Sequence, residues 1–577
     1  MIKKYVSILL VFLSSCADFN EENQIQTTSN QTPTEKNDDL KYLAEDFQEN
    51  IYSPHVNIKV AVGYGLANSI LVMGDTESLI VDTMGGIETA HRVIDDLAIP
   101  EGKPVTSLAY THFHADHTLG AQAFVDRFPI SNVISHETTL DEIRDFFGIK
   151  RDLISQRSLK MFGSILLDED KATSSGIGIK LETGIDTPGY IRPNITFSDF
   201  YSFDLDGLEV QFFHAPGETD DQLFVWIPEY RALMPGDNIY KAFPNIYTIR
   251  GTSYRSFKSW YTSLEAMLAL EPEILIPSHG TPINGKEEIA RILTNYRDAI
   301  KYVHDQTMRN LNSGDSPLEA ARKVNLPEKL AKDPHLFELY GTVEWSARNL
   351  FNGYFGWFDG NPTNLYPFTE EEYSKKIMEL IPYEALQKKL DEALAEEEFQ
   401  WALYLADLLI NSGNGSEEVI EIKAIALQEL AKKAYNPNAV SFYRSTYAEL
   451  TNSTNDKVFI TGDRQIEASL LEQLDIQMFL ETMAIRLDPE KVSDIKDVKY
   501  IKFVDLDEVW KLRIENSVFT YTLVKNFTNY DVQMSSTTFK NLVSGTINPI
   551  TGILLTNNNA QGPNKRGFLE LLSNFQE

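Results

Sequence analysis

Three histidines and an aspartate stand within six positions in the run Thr111-His112-Phe113-His114-Ala115-Asp116-His117. Imidazole nitrogen and carboxylate oxygen are ligands that zinc takes readily, and a catalytic zinc keeps one position for water. His112 and His114 are two apart, so in an extended or loop segment both rings reach one point. Asp116 and His117 turn toward a second point close by. Two zinc ions about 3.5–4 Å apart can share a water, deprotonate it and hold both sides of a displacement. A polar loop with merely solvated histidines has no need of this spacing. The run predicts a binuclear metallohydrolase.

Such a run needs a rigid element in front of it. Ser107-Leu108-Ala109-Tyr110 is a short buried strand, and the histidines begin directly after it. Upstream, Ile70 to Met73 and Leu79 to Asp82 form two strands around the tight turn Gly74-Asp75-Thr76. Helical and strand patterns alternate to about residue 300, which predicts a layered α/β domain. From about 370 to 450 the pattern is helical. Glu397 to Ala406 carries an apolar stripe, Gly413-Asn414-Gly415 breaks it, and Ser416 with Glu417 and Glu418 starts the next helix. From about 460 an α+β unit follows, with Val509 to Glu515 and Phe519 to Val524 alternating as half-buried strands.

A chain of 577 residues is too long for one core and suggests about three to four units. Acidic residues outnumber basic ones 84 to 52, a net charge of −32. This argues against nucleic acid, whose phosphates need a basic surface. An anionic substrate would have to find its positive charge locally, from metal ions and arginine. The single cysteine, Cys16, excludes an intramolecular disulfide and a thiolate metal site. It follows Lys3, Lys4, the apolar run Val6 to Leu13, Ser14 and Ser15. These form a secretory signal too short to span a membrane. Leu13-Ser14-Ser15-Cys16 looks like a bacterial lipobox, so Cys16 is the expected lipidated N-terminus of a protein anchored to the cell envelope. Ala17, rather than an aspartate, follows it, which favours the outer membrane. Residues 17–45, polar and almost without large apolar side chains, read as a flexible tether.

The sequence His-x-His-x-Asp-His after a strand resembles the metallo-β-lactamase superfamily. Val62 to Ser69, Pro244-Asn245-Ile246-Tyr247-Thr248-Ile249-Arg250-Gly251 and Gly356-Trp357-Phe358-Asp359-Gly360-Asn361-Pro362 are similar to segments of its alkylsulfatase branch. The resemblance covers residues from about 50 to 577. It implies a metallo-β-lactamase αββα sandwich over 46–310, an all-α helical dimerisation domain over 311–455 and an α+β sterol-carrier-like domain over 456–577. It also supplies a ligand set for two zinc ions per subunit. His112, His114 and Glu218 would hold one, Asp116, His117 and His279 the other, with Asp237 between them. Asp237 stands where the compared sulfatases have glutamate. Glu218-Thr219-Asp220-Asp221-Gln222 replaces their Glu-Ala-Pro-Ala-Glu.

Arg250 is the expected anchor for substrate charge, since a guanidinium matches two sulfate oxygens at once. Asn245 and Tyr247 lie on the same segment as further substrate contacts, and Tyr190 is a weaker candidate. Asp116 and Arg250 are the expected catalytic residues. Asp82, at a strand end, is placed to orient a ligand histidine. His136 and His214 read as structural. The resemblance implies hydrolysis of an alkyl sulfate monoester, a small amphiphilic anion, by a hydroxide bridging the metals in a homodimeric enzyme. The helical and C-terminal domains would offer an apolar wall for the alkyl chain. The residues leave open another ester, lactone, β-lactam or phosphoester on the same scaffold. They also leave open a lipid-binding surface lipoprotein.

Overall fold

The computed structural model describes residues 44–454 and 473–575, except positions 169, 173, 180–185, 526, 546–547, 549–552 and 554–559. The expected signal, Cys16 and nearly all of the tether lie outside the described residues. Among the described residues no helix is long and apolar enough to cross a membrane.

Seven strands lie side by side in chain order in the first sheet. They are β1 (Asn50–His55), β2 (Ile58–Val62), β3 (Ser69–Met73), β4 (Ser78–Val81), β5 (Val105–Ala109), β6 (Asn132–His136) and β7 (Ile195–Phe197). The first four are antiparallel neighbours, whereas β4 to β7 pair in parallel. Every residue of β3 and β4 is buried, as expected of strands covered on both faces. The second sheet runs β13 (Ile283–Asn284), β12 (Ile274–Leu275), β11 (Ala232–Met234), β10 (Leu223–Ile227), β9 (Leu208–His214), β8 (Phe200–Leu205). Val60, Ile70, Leu79 and Ala109 of one sheet share a core with Val210, Phe212, Val225 and Met234 of the other. The helix Ile87–Leu97 covers the first sheet, and Phe257–Ala269 with Lys286–Asn312 covers the second. The result is an αββα sandwich.

The parallel pairs decide where chemistry can sit. Because β4 and β5 run the same way, Asp82 and Thr111 leave the sheet at one edge. On the second sheet β11 and β12 are also parallel, so Gly236-Asp237 and Ser278-His279 emerge together. The β9–β10 hairpin opens at the same end and carries Glu218. Ligand crevices lie outside the carboxyl ends of parallel strands for this reason.

The helices Tyr383–Ala395, Phe399–Asn411 and Glu417–Lys433 pack on one another around Leu390, Ala406 and Leu427. Ser416 caps the last of them by accepting from the Val419 amide, as the sequence predicts. The following helix, Pro437–Leu450, returns to the sandwich, where Glu449 pairs with Lys160 at 2.6 Å. A third sheet, β16 (Val518–Val524), β15 (Glu508–Glu515), β14 (Asp497–Phe503), β17 (Val532–Met534), β18 (Ala560–Gln561), forms the C-terminal unit with helices such as Ile476–Arg486. It docks on the helix Thr139–Phe147 through the ion pair of Arg144 with Asp475. The beginning expected for this unit, near residue 460, lies outside the described residues.

Candidate metal centre

The Tyr110 amide donates to the Ile134 carbonyl, so pairing continues one residue past β5. The chain then stays irregular through His114, whose φ of −56° and ψ of 149° are extended, before the short helix Ala115–Thr118 begins. The change from extended chain to helix separates the four side chains. His112 Nε2 and His114 Nδ1 lie 2.8 Å apart, and His117 Nε2 lies 3.4 Å from Asp116 Oδ2. Asp237 reaches both halves: its carboxylate is 3.7 Å from His112 Nε2, 3.5 Å from His117 Nε2 and 3.1 Å from His279 Nε2.

Three overlapping groups have ligand atoms within 4.8 Å of one another: His112, His117 and Asp237; Asp116, His117 and His279; His114, Glu218 and Asp237. All seven residues expected to bind metal are therefore brought together, with Asp237 shared between groups. His117 Nε2 and Asp237 Oδ1 are buried without a hydrogen-bond partner among the described residues. Such groups are costly unless a cation satisfies them. The donors are all nitrogen and oxygen, which suits a pair of divalent cations of the zinc type. The residues fit the group.

Their second nitrogens are committed elsewhere, which aims the first ones inward. His117 Nδ1 is 2.7 Å from Asp82 Oδ2, and His279 Nδ1 is 2.8 Å from the Leu66 carbonyl oxygen. Burial disfavours charge on every imidazole here. It holds His112 and His114 well below the ordinary histidine range, with neighbouring rings adding to the effect. For His117 and His279 burial acts the same way, but the carboxylates of Asp237 and Asp116 outweigh it and raise both. Burial would likewise raise Asp237, yet His279, His117 and His112 hold it well below the carboxylate range. Metal binding displaces such protons from its ligands.

Arg250 is 8% exposed and sits at the rim of this cluster. Its Nη2 donates to His114 Nε2 at 3.1 Å, and its guanidinium lies 5.4 Å from the centre of the Phe146 ring. A cleft of about 820 Å³ opens over His114, Asp116, Glu218, Asp237 and Arg250. Leu66, Phe146, Ile154, Leu159, Phe162 and Ile177 give it an apolar wall.

Comparison with known proteins agrees with this geometry. Residues 62–279 match the model of the metallo-beta-lactamase superfamily, 316–453 that of alkyl sulfatase dimerisation and 464–576 that of the alkyl sulfatase C-terminal region. The chain is 32% identical over 453 residues to a linear primary-alkylsulfatase of Pseudomonas sp. (strain ATCC 19151), covering 76% of this chain and 85% of that one. The chain belongs to the alkylsulfatase family. An (R)-specific secondary-alkylsulfatase of Pseudomonas sp. is 24% identical over 473 residues, covering 79% of this chain and 70% of that protein. The solved structure of the stereoselective inverting sec-alkylsulfatase Pisa1 from Pseudomonas sp. superposes with a TM-score of 0.83 at 22% identity. That match covers 92% of this chain and 85% of the other.

Within this alkylsulfatase framework some expected residues sit elsewhere. Asn245 and Tyr247 line neither cavity at the site. The segment is pinned by its backbone: the Asn245 amide donates to the Tyr240 hydroxyl at 2.7 Å, and its carbonyl accepts from Arg255 Nη1 at 2.5 Å. Of this segment's residues, Arg250 is the one that lines the cleft. Tyr190 is buried beside Tyr110, 5.8 Å between ring centres, away from the cleft. The apolar wall is also a correction. It comes from Leu66 and residues 146–179 of the sandwich region, with Tyr340 the one described helical-domain residue lining the cleft. Among the described residues, none of the C-terminal unit lines it.

Arg255 escaped the sequence reading. It is 2% exposed and ion-paired with Glu218 Oε1, while Glu218 Oε2 accepts from the Tyr240 hydroxyl at 3.2 Å. Burial raises Glu218 to about 7, against the pull of Arg255. The signal that could have found it is a second arginine five residues after Arg250. His136 and His214 stack with ring centres 3.8 Å apart, outside the metal cluster, in keeping with a structural role.

Proposed function

We propose that this chain hydrolyses alkyl sulfate monoesters to an alcohol and inorganic sulfate at a site holding two zinc ions. The observation that carries the reading is the position of Arg250, between the metal-ligand cluster and the apolar cleft. An anionic head and an alkyl tail would each find a matching surface there. The names of the relatives support the same ester.

A zinc pair held by His112, His114, Asp116, His117, Glu218, Asp237 and His279 would supply the Lewis acidity that lowers the pKa of a nearby water. The chain's own residues do the rest. Arg250 orients the sulfate through its planar fork and neutralises charge that grows on the departing group. The contact of its guanidinium with Phe146 fixes the plane of that fork. Asp237, reaching both halves of the cluster, holds the proton balance between them, and Asp116 orients His117 from the cleft side. Asp82 keeps the His117 Nδ1 proton, leaving Nε2 free to ligate. The wall of Phe146, Ile154, Leu159 and Phe162 takes the alkyl chain and excludes water from the head group.

The proposal extends to a homodimer formed through the helical region within 311–455. Trp357, Tyr366, Phe368, Leu380 and Tyr404 leave 71%, 95%, 62%, 79% and 65% of their surfaces exposed there, large apolar side chains that a partner would cover. It also includes an N-terminal lipid anchor on Cys16 at the bacterial outer membrane. Replacing Cys16 with serine should move the protein from the membrane fraction to the soluble one.

The decisive experiment is a hydrolysis screen of zinc-loaded protein across alkyl sulfates, lactones, β-lactams and phosphoesters, with His117→Ala alongside. Sulfate release from dodecyl sulfate that is lost in the variant is expected. Turnover confined to another ester would refute the assignment.

A further inference from the structure

Besides the main cleft, a second cavity meets the metal-ligand cluster from behind Arg250. Its volume is about 30 Å³, and Lys150, Asp220, Thr252, Ser253 and Arg255 contribute its polar lining. His114, Glu218, Arg250, Phe146 and Ile154 line both spaces, so the two cavities abut at the ligands and are divided by Arg250 and Phe146. Asp220 and Ser253 are exposed, which brings the small cavity to the surface. Lys150 Nζ donates to Ser253 Oγ at 3.3 Å across this outer end and also pairs with Asp145 at 2.8 Å. Deeper in, Arg255 Nη2 is a buried donor with no hydrogen-bond partner among the described residues.

We infer that this side cavity is a water inlet, a binding site for the water consumed in each turnover. The inference rests on the hydrolase reading above. Hydrolysis turns one sulfate ester and one water into one alcohol and one hydrogensulfate. One ester bond to oxygen breaks, the water oxygen ends in one product, and its two protons end one on the alcohol and one on the hydrogensulfate, which then gives its proton to solvent. An alkyl tail lying on Leu66, Phe146, Ile154 and Phe162 dries the main cleft. Water must then reach the ligands by another path. A space of this size holds about two waters, and a water needs two to four polar partners. The unpartnered Arg255 donor, the Glu218 carboxylate and the Thr252 hydroxyl provide them. The space is too small for sulfate, so it is no exit for the product.

The proposal ties water supply to the length of the tail. Ser253→Leu places an apolar side chain at an exposed position of the mouth, where folding is undisturbed, and Ser253→Ala removes the hydroxyl without blocking the passage. With zinc-loaded protein, Ser253→Leu is expected to lower kcat about ten-fold on dodecyl sulfate. It should leave butyl sulfate turnover near wild type, because a short tail leaves the main cleft wet. Ser253→Ala should match wild type on both. Equal losses at both lengths, or no loss in Ser253→Leu, would overturn the inlet. A crystal structure with 1-dodecanol in the cleft decides the matter independently of activity. Ordered water bonded to the Arg255 guanidinium supports the inlet, and a dry cavity overturns it. If wild type releases sulfate from no alkyl sulfate, the hydrolase reading fails, while this structure still judges the cavity.

Discussion

Asp82→Asn exchanges one atom at the base of the metal cluster, and the structure says what that costs. Asp82 is fully buried and accepts four hydrogen bonds. Its Oδ1 takes the Thr111 amide at 2.8 Å. Its Oδ2 takes His117 Nδ1 at 2.7 Å, the Thr111 hydroxyl at 2.9 Å and the Ser278 hydroxyl at 3.1 Å. An asparagine has two ways to sit. With its oxygen toward the Thr111 amide, its NH₂ faces His117, which can respond only by carrying its proton on Nε2, the atom needed by the metal. With its oxygen toward His117, its NH₂ opposes the Thr111 N–H, leaving buried donors unpaired at about 1–3 kcal/mol. Both routes land in the range known for partners of metal ligands, about 10–100-fold in metal affinity, or roughly 1.4–2.8 kcal/mol. Competition with a chromophoric chelator, checked by metal content per chain after dialysis, measures this directly. A variant that holds both zinc ions within about two-fold of the wild-type affinity would refute the orienting role of Asp82.

Other residues make separate tests. Gly236→Ala puts a Cβ 1.9 Å from Gln222 Nε2 and 3.0 Å from Thr111 Cβ at a φ of +59°. The melting temperature should fall by an amount matching about 1–3 kcal/mol, whereas an unchanged melt would show that the loop before Asp237 yields freely. Arg250→Ala should lower kcat/KM on an alkyl sulfate by about 10²–10³, the scale of one lost charge-stabilising donor group. Arg250→Lys should recover only part of this because ammonium lacks the planar fork; full recovery would mean that charge alone suffices. Burial raises the Asp221 carboxyl from 3.8 to about 7, while the Thr219 and Thr139 hydroxyls at 2.7 and 2.8 Å oppose it. The folded protein then binds this proton more tightly than the unfolded chain, so stability is full at low pH and is lost as pH rises toward 7. The melting temperature of Asp221→Asn should gain on wild type as pH rises from about 5 to 8, and a constant difference would reject the shift.

What could be read from the sequence followed the range of the interactions involved. The histidine run is legible because its four ligands are set by one strand end and one helical turn, within a few residues. Glu218, Asp237 and His279 belong to three strand ends that only the β9–β10 hairpin and the parallel β11–β12 pair bring together. No local pattern contains that pairing, so the family resemblance had to supply them. Asp82 was within reach, since a buried acid directly after an apolar strand needs a partner.

The cleft wall was hidden for a different reason. The helix Arg151–Met161 buries Ile154 and Met161 but leaves Leu153 62% exposed, so its apolar positions trace no clean stripe. Ile154 and Leu159 face the cleft, an environment that is neither core nor solvent when a substrate is bound. Hydrophobic periodicity records burial in the folded chain alone and is silent about surfaces completed by a ligand. That same silence covers Arg255. A buried arginine leaves no periodic trace, and its reason for being inside appears only when the β9–β10 hairpin brings Glu218 to it. The residues whose placement packing explains least are therefore the ones the proposed function uses: Ile154, Leu159, Arg250 and Arg255.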